Sequence, residues 1–401
     1  MEQWWRPDLL AARRDRLAAR GRILSASRNF FAERGFVEVD TPALQVSPGL
    51  EPHLRAFGTL LHDPRDNTLH PRYLHTSPEF AMKKLLAGGM TRIWQLAHAF
   101  RDGERGATHH PEFAMLEWYH ADASYRDLMD DCEALLRRVQ AAGDPLHPSS
   151  SWPGVSRPST PLPSVPPVAM EAGPPPSSSS SRDFVDGRDT PGHDAAEERR
   201  SAGLTWHGRS ADARLPFQRL SVAEAFAHYA GIDILATAPD PARPDLALLT
   251  EAAARAGIAR HPGDDWESLY FRVFLDRVEP RLGIGAPTIL YDYPISMAAL
   301  SRAKPDDPRL AERFELYVCG LELANAFSEL TDPAEQRARF QADQAKKQAL
   351  YGTTYPIDED FLAALEHGLP DCAGIALGFD RLVMLATGAD HIEDVLWMPV
   401  S

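Results

Sequence analysis

Residues 92–100 (RIWQLAHAF) and 112–120 (EFAMLEWYH) are dense in aromatic and apolar positions, and a polar loop containing Gly103 and Gly106 separates them. That pattern predicts two strands joined as an antiparallel hairpin. Side chains alternate along a strand, so Phe113, Met115, Glu117 and Tyr119 share one face of the second run, and Glu112, Ala114, Leu116 and Trp118 share the other. Far downstream, Gly374-Ile-Ala-Leu-Gly378 reads as a strand of small and apolar residues, and residues 379–386 (FDRLVMLA) carry helical spacing. A helical run from Arg22 ends at Gly35 and gives way to a short strand closed by Pro42. Ser221-Val-Ala-Glu224 is a capping box that opens a helix closing near Gly231.

Residues 145–215 interrupt this patterning. The stretch from Pro148 to Ser181 is dense in proline and serine, and the charged stretch after it has few bulky apolar residues. Such a composition does not bury enough apolar surface to offset ordering entropy, so a disordered insertion is expected between two parts, 1–144 and 216–401, of one domain. It reads either as a tether or docking segment or as a loop with no catalytic role.

The rest of the composition narrows the class of protein. At 44% hydrophobic residues the chain can bury a large core. Cys132, Cys319 and Cys372 are odd in number and widely spaced, which argues against a disulfide framework and structural zinc and fits a reducing cytoplasm. The N-terminus has no basic region leading into an apolar core, and no eighteen apolar residues run together, so neither export nor a membrane span is expected. A net charge of −15 disfavours a nucleic-acid partner, whose affinity rests on lysine and arginine. Arginines 13, 14, 16, 20 and 22 form a basic helix face, expected to be solvated.

The chemistry-bearing residues fall into four groups. Arg101 opens the hairpin loop and Arg381 lies in the first turn of the C-terminal helix; a forked guanidinium suits triphosphate oxygens. Glu117, between Met115 and Tyr119, either faces water at a sheet edge or meets a cation or hydrogen-bond donors. Ser77, Pro78 and Glu79 stand at a helix start, where free amides and a carboxylate can hold the two ends of a zwitterion. Glu322 and Glu329 are seven residues apart, so on a regular strand they face opposite sides; a bend near Asn325 is required if they share one Mg2+, and two solvated carboxylates are the alternative.

In this order the segments resemble the three motifs of class II aminoacyl-tRNA synthetases: the helix and strand ending at Pro42, the hairpin from Phe100 to Tyr119, and residues 373–385. Thr76-Ser-Pro-Glu79, His110-Pro-Glu-Phe113 and Glu322-Leu-Ala-Asn-Ala-Phe-Ser-Glu-Leu330 resemble the lysyl branch, and with only about twenty residues before the first motif no anticodon-reading domain is expected. Leu116-Glu-Trp-Tyr119, Arg313-Phe-Glu-Leu-Tyr317, Pro370-Asp-Cys372 and the run from Ala376 to Leu385 are similar to the stand-alone members that place beta-lysine on a protein, elongation factor P, instead of a tRNA.

The resemblance implies an α+β fold, an antiparallel sheet flanked by helices, a homodimer, and ATP with Mg2+. It implies catalytic roles for Arg101 and Arg381, and a substrate site of Ser77, Pro78, Glu79, Glu117, Tyr119, Asn325, Glu329 and Ala376. For ATP it implies Arg101, Asp102, Gly103, Glu104, His110, Phe113, Glu322, Leu323, Gly378 and Arg381, and for the metal Glu322 and Glu329. The methyl of Ala376 stands where lysyl-tRNA synthetases have glycine. Two departures concern the nucleotide: the acid after Arg101 is shifted by one residue, to Glu104 behind Gly103, and His110 replaces an asparagine. The other expectations are an enzyme activating alpha-lysine and a ligand-binding paralogue without catalysis.

Overall fold

A computed structural model of the chain describes residues 4–143, 203–241, 243–298 and 300–400. The long helix α1 (Pro7–Glu33) leads through β1 (Val37–Glu38), β2 (Leu44–Gln45) and the hairpin of β3 (Gly58–Asp63) and β4 (Thr68–Leu74) to α2 (Glu79–Ala87). Next come β5 (Arg92–Phe100), β6 (Glu112–Ala121) and α3 (Tyr125–Gly143). The described chain resumes in β7 (Leu204–Trp206), β8 (Arg209–Ala211) and β9 (Gln218–Ser221), followed by α4 (Val222–Ala230), α5 (Leu246–Arg255) and α6 (Trp266–Val273). The last part runs β10 (Thr288–Pro294), β11 (Ala303–Lys304), β12 (Asp307–Val318), β13 (Leu321–Ser328), α7 (Pro333–Tyr351), α8 (Glu359–Gly368), β14 (Cys372–Gly378) and α9 (Phe379–Thr387).

Nine strands form one sheet in the order β1-β5-β6-β14-β13-β12-β10-β9, with β11 attached to β12. Only β1 with β5 and β9 with β10 pair parallel. The hairpin predicted from alternation forms in register from Arg92↔His120 to Phe100↔Glu112. The capping box also forms: Ser221 Oγ accepts from the Glu224 amide, and Gly231 closes α4 in the left-handed region.

The alternation of each central strand sorts the sheet into two faces. Leu116 and Trp118 of β6, Ile375 and Leu377 of β14, Ala326 of β13 and Phe314 of β12 are buried in one core, together with α1, α3 and α9 residues such as Phe31, Leu135 and Leu382. Stacking of Phe31 on Trp94, with ring centroids 4.8 Å apart, anchors α1 to the sheet. The opposite faces of the same strands carry the polar residues described below.

Two expectations change here. Residues 203–215 are not part of an unstructured insertion: β7 and β8 pair, and Leu204, Ala211 and Ala213 are buried in the main core. Single apolar residues between charged neighbours gave no periodic signal, and only long-range burial orders them. Residues 145–202 of that expectation lie outside the described residues. The basic face of α1 is also less solvated than expected. Arg20 pairs with Asp380, Arg16 with Asp394 at 3.4 Å, and Arg22 donates to the Ala142 carbonyl at 3.1 Å. These arginines tie α1 to α3, α9 and the C-terminal segment.

Candidate active site

Residues of β6, β14, β13 and β12 line a cavity of about 340 Å3. Register places Glu117 beside Ala376, Ala376 beside Asn325, and Asn325 beside Glu315, one residue from each of four strands in a row. Ala376 and Asn325, the middle pair of this row, line the cavity; Glu117 and Glu315 flank them and are buried outside its lining, as are Tyr119 and Glu329.

An acidic cluster meets the cavity at Ser77 and Glu79. Glu117 is fully buried; Ser77 Oγ donates to its Oε1 at 2.7 Å and the Tyr119 hydroxyl to its Oε2 at 3.0 Å. Burial, reinforced by nearby Glu79, pushes the Glu117 carboxyl up to about 8 against the pull of those two donors. Ser77 also accepts from the Glu79 amide at 3.1 Å, so the Thr-Ser-Pro-Glu segment starts α2 as predicted, with Pro78 in the cap position. Lys83, one helical turn beyond Glu79, bridges Glu79 and Glu329 at 2.5 Å each, with its side chain wholly buried. Burial alone would lower its pKa, but the two carboxylates overturn that and hold it above the ordinary lysine value. Gly374 is required beside this cluster: a Cβ there would lie 2.2 Å from the Tyr119 ring and 2.3 Å from Glu329 Oε1.

Arg381 and Arg101 line the same cavity as cations. Arg381, in the first turn of α9, donates from Nη1 to the Glu322 carbonyl at 2.9 Å and from Nε to the Thr108 carbonyl at 3.2 Å. Its Nη2 lies 2.8 Å from His109 Nε2. Arg101 stacks over Phe113 at 5.1 Å and lies 3.9 Å from Glu104. Gly103 sits at φ +84°, a left-handed turn that brings Glu104 round to the cavity in place of the neighbouring acid. Leu323, Asn325, Ala376 and Gly378 also line the cavity.

Several predicted site residues are placed elsewhere. Asp102 pairs with Arg55 at 2.8 Å and does not line the cavity. His110 does line it, but both ring nitrogens are taken: Nδ1 by the Glu112 carbonyl at 2.5 Å and Nε2 by the Val400 amide at 3.1 Å. The shared metal site of Glu322 and Glu329 is corrected. The irregularity in β13 is a bulge at Leu323, not a bend at Asn325: Tyr317 pairs with Glu322 and Leu316 with Ala324, leaving Leu323 extra. The bulge does turn Glu322 to the cavity face, yet some six residue rises still separate it from Glu329, roughly 20 Å along the strand. A Mg2+ ion holds its oxygens at about 2.1 Å, so one ion does not bridge them. Glu329 belongs to the acidic cluster.

Glu315 is the carboxylate that sequence reasoning missed. It stands on β12, hydrogen-bonded by Arg313 and the Tyr317 hydroxyl at 2.5 Å each. Burial raises the Glu322 carboxyl, and Glu315 is the next contributor, opposed by Arg381, Arg313 and Arg101. A buried carboxyl raised by a second carboxylate beside it fits a divalent cation by donor type and by electrostatics. The available signal was a second glutamate seven residues before Glu322, across one turn between two strands.

An open, largely antiparallel sheet with two arginines and a carboxylate cluster meeting at one cavity defines the catalytic domain of a class II synthetase. The family model for class II tRNA synthetases (D, K and N) matches residues 10–401, and the chain belongs to that family. A Vibrio cholerae protein named elongation factor P–(R)-beta-lysine ligase is 36% identical over 388 residues, covering 96% of this chain and 94% of its own. Proteins of the same name from Vibrio atlanticus and Proteus mirabilis are each 34% identical; the former covers 100% of this chain and 99% of its own, the latter 99% and 97%. Among the described residues, no helix is long and apolar enough to cross a membrane.

Proposed function

We propose that this protein activates (R)-beta-lysine with ATP as an aminoacyl-adenylate and transfers the acyl group to a lysine ε-amino group of elongation factor P. The observation that carries the reading is the make-up of one cavity: Glu51 and Glu79 line it as partners for ammonium groups, Arg101 and Arg381 as partners for phosphates, and Ala376, whose strand neighbour is Glu117, lines it with them. The full-length similarity to ligases of that name supports it.

In the first step the substrate carboxylate attacks the α-phosphorus of ATP and pyrophosphate leaves. Arg101 and Arg381 hold the phosphates and oppose the negative charge that develops there. Glu117, with Ser77 and Tyr119 fixing its two oxygens, takes an ammonium of the amino acid, and Glu79 and Glu329 stand within the same cluster. Glu315 and Glu322 would hold Mg2+, which neutralises triphosphate charge when bound. The net charge of −15 favours a protein acceptor over tRNA, and three free, buried cysteines suit a cytoplasmic protein. A homodimer completes the proposal by family resemblance.

The test is pyrophosphate exchange into ATP with (R)-beta-lysine, alpha-lysine or no amino acid, followed by intact-mass measurement of elongation factor P. Exchange preferring beta-lysine and a mass gain of one lysyl unit are expected. Preference for alpha-lysine would replace the substrate assignment, and absence of exchange by folded protein would refute enzymatic activation. Removing the Ala376 methyl (Ala376→Gly) is expected to shift the beta-to-alpha preference in kcat/KM toward alpha-lysine by about 10- to 100-fold, since one methyl discriminates by roughly 1–3 kcal/mol; an unchanged ratio would remove Ala376 from the specificity pocket.

A pH dependence follows from Glu117. With its carboxyl near 8 the free protein holds that proton at pH 7, and an arriving ammonium lowers the value, so binding releases a proton. Affinity for the amino acid is therefore expected to rise with pH, by at most about tenfold per unit, and to level off above about 8. Calorimetry at pH 7 in buffers of different ionisation enthalpy measures the release. Equal release by wild type and Glu117→Gln would show that the proton comes from another group.

A further inference from the structure

A second cavity, of about 270 Å3, adjoins the first. Glu51, Leu300 and Arg313 line both, so they form the wall between the two. The side cavity has apolar flanks, including Phe80, Phe271, Met297 and Phe340, and acids at Glu51, Glu267 and Asp343. Phe271 is exposed, which sets one side of the cavity at the surface. Glu267 is already paired with Lys346, whereas the Asp343 carboxyl is pushed up to about 6, first by burial and then by Glu51. Nothing in the activation step described above uses this cavity.

Glu51 is the unusual member. Its Oε2 is buried with no hydrogen-bond partner among the described residues. Burial raises its carboxyl, Glu79 raises it further, and Arg101 and Lys347 pull it down. It therefore lies within electrostatic reach of Arg101, the residue assigned to the phosphates of the adenylate, while opening onto a separate cavity. A carboxylate with unused acceptor capacity and an elevated pKa is suited to take a proton from an amine.

We propose that the side cavity is the channel through which the acceptor lysine reaches the adenylate, and that Glu51 at its inner end is the general base of the transfer step. The inference rests on the ligase reading. Apolar flanks match the four methylenes of a lysine stem, and Asp343 and Glu51 attract its ammonium in sequence. The ε-ammonium gives one proton to Glu51, and the neutral amine attacks the adenylate carbonyl carbon. The C–N bond forms and the C–O bond to the phosphate breaks, with the electron pair leaving on AMP. The second proton lost by nitrogen goes to the departing phosphate or to water, leaving a neutral amide.

The test separates activation from transfer in the full-length protein. Pyrophosphate exchange with beta-lysine reads the first step. Hydroxamate formation with hydroxylamine reads the adenylate with a nucleophile that is already neutral and small enough to need no lysine channel, and intact mass of elongation factor P reads transfer. Asp343→Lys is expected to lower transfer kcat/KM by at least about tenfold by repelling the incoming ammonium, with exchange and hydroxamate formation at the wild-type level. Glu51→Gln is expected to lower transfer kcat by about 100-fold or more while hydroxamate continues to form, the range a general base supplies. Wild-type transfer by both variants would overturn the channel. Normal transfer by Glu51→Gln alone, or loss of hydroxamate in step with transfer, would overturn its role as base. Failure of the unmodified protein to exchange would instead refute the ligase reading itself.

Discussion

Arg381→Ala is expected to lower kcat/KM for pyrophosphate exchange by about 100- to 1000-fold, the effect of removing one preorganised charge at a site where negative charge develops. Its guanidinium is held by the Glu322 and Thr108 carbonyls and by His109, so it meets ATP already oriented. That orientation is why Arg381→Lys should recover little: an ammonium is a point charge without the fork that fills three directions at once. The contact strengthens at the transition state, so the loss should appear in kcat more than in the KM for ATP. Rapid-quench measurement of adenylate formation separates the two. A variant that raised KM alone would make Arg381 a ground-state binding residue and remove it from catalysis.

The largest effect on stability is expected at Lys83. Its side chain is wholly buried between Glu79 and Glu329, the latter itself only 1% exposed. Lys83→Met keeps much of the volume and leaves carboxylates buried without their cation, which costs about 3–5 kcal/mol. The sign with pH follows from its raised pKa: the contribution is fully present below the ordinary lysine value and is lost only as pH rises through the higher folded value. Near neutrality the penalty should therefore not vary because of Lys83 itself. Urea unfolding at pH 7 measures it, and adding Glu329→Gln to Lys83→Met should recover part of the loss, because a neutral amide is cheaper to bury than an unpaired carboxylate. A loss below about 1 kcal/mol would mean that Glu329 takes up a proton and that the pair is not a charged one.

The local signals in the chain were strong where one residue type had one use. The period of two in residues 112–120 puts Glu117 and Tyr119 on the face of Phe113 and Met115, and those two line the cavity. The capping box at Ser221 and the first-turn position of Arg381 were equally local. Parity failed at β13 because a bulge adds one residue to a strand without any mark in composition. Counting from Glu322 to Glu329 on a regular ladder puts them on opposite faces and ties a shared metal to a bend near Asn325; the bulge lies at Leu323 instead, and the strand rise between the two glutamates excludes that site. Residues 203–215 were misread for a related reason: their strands are three residues each, too short to show a period.

By itself the sequence determined the hairpin, the helix starts, the two arginines and the acidic character of the substrate end, since each follows from alternation, capping or charge within a few residues. Only the tertiary structure decided which carboxylates meet. Glu315 comes close enough to Glu322 to raise its carboxyl, Glu329 pairs with Lys83, and Glu51 lies between two cavities, because strand register and the bulge at Leu323 bring together residues from separate segments. Pairing across strands depends on register, and register is set by the burial of whole faces against α1, α3 and α9, a sum over the sheet that no single segment contains.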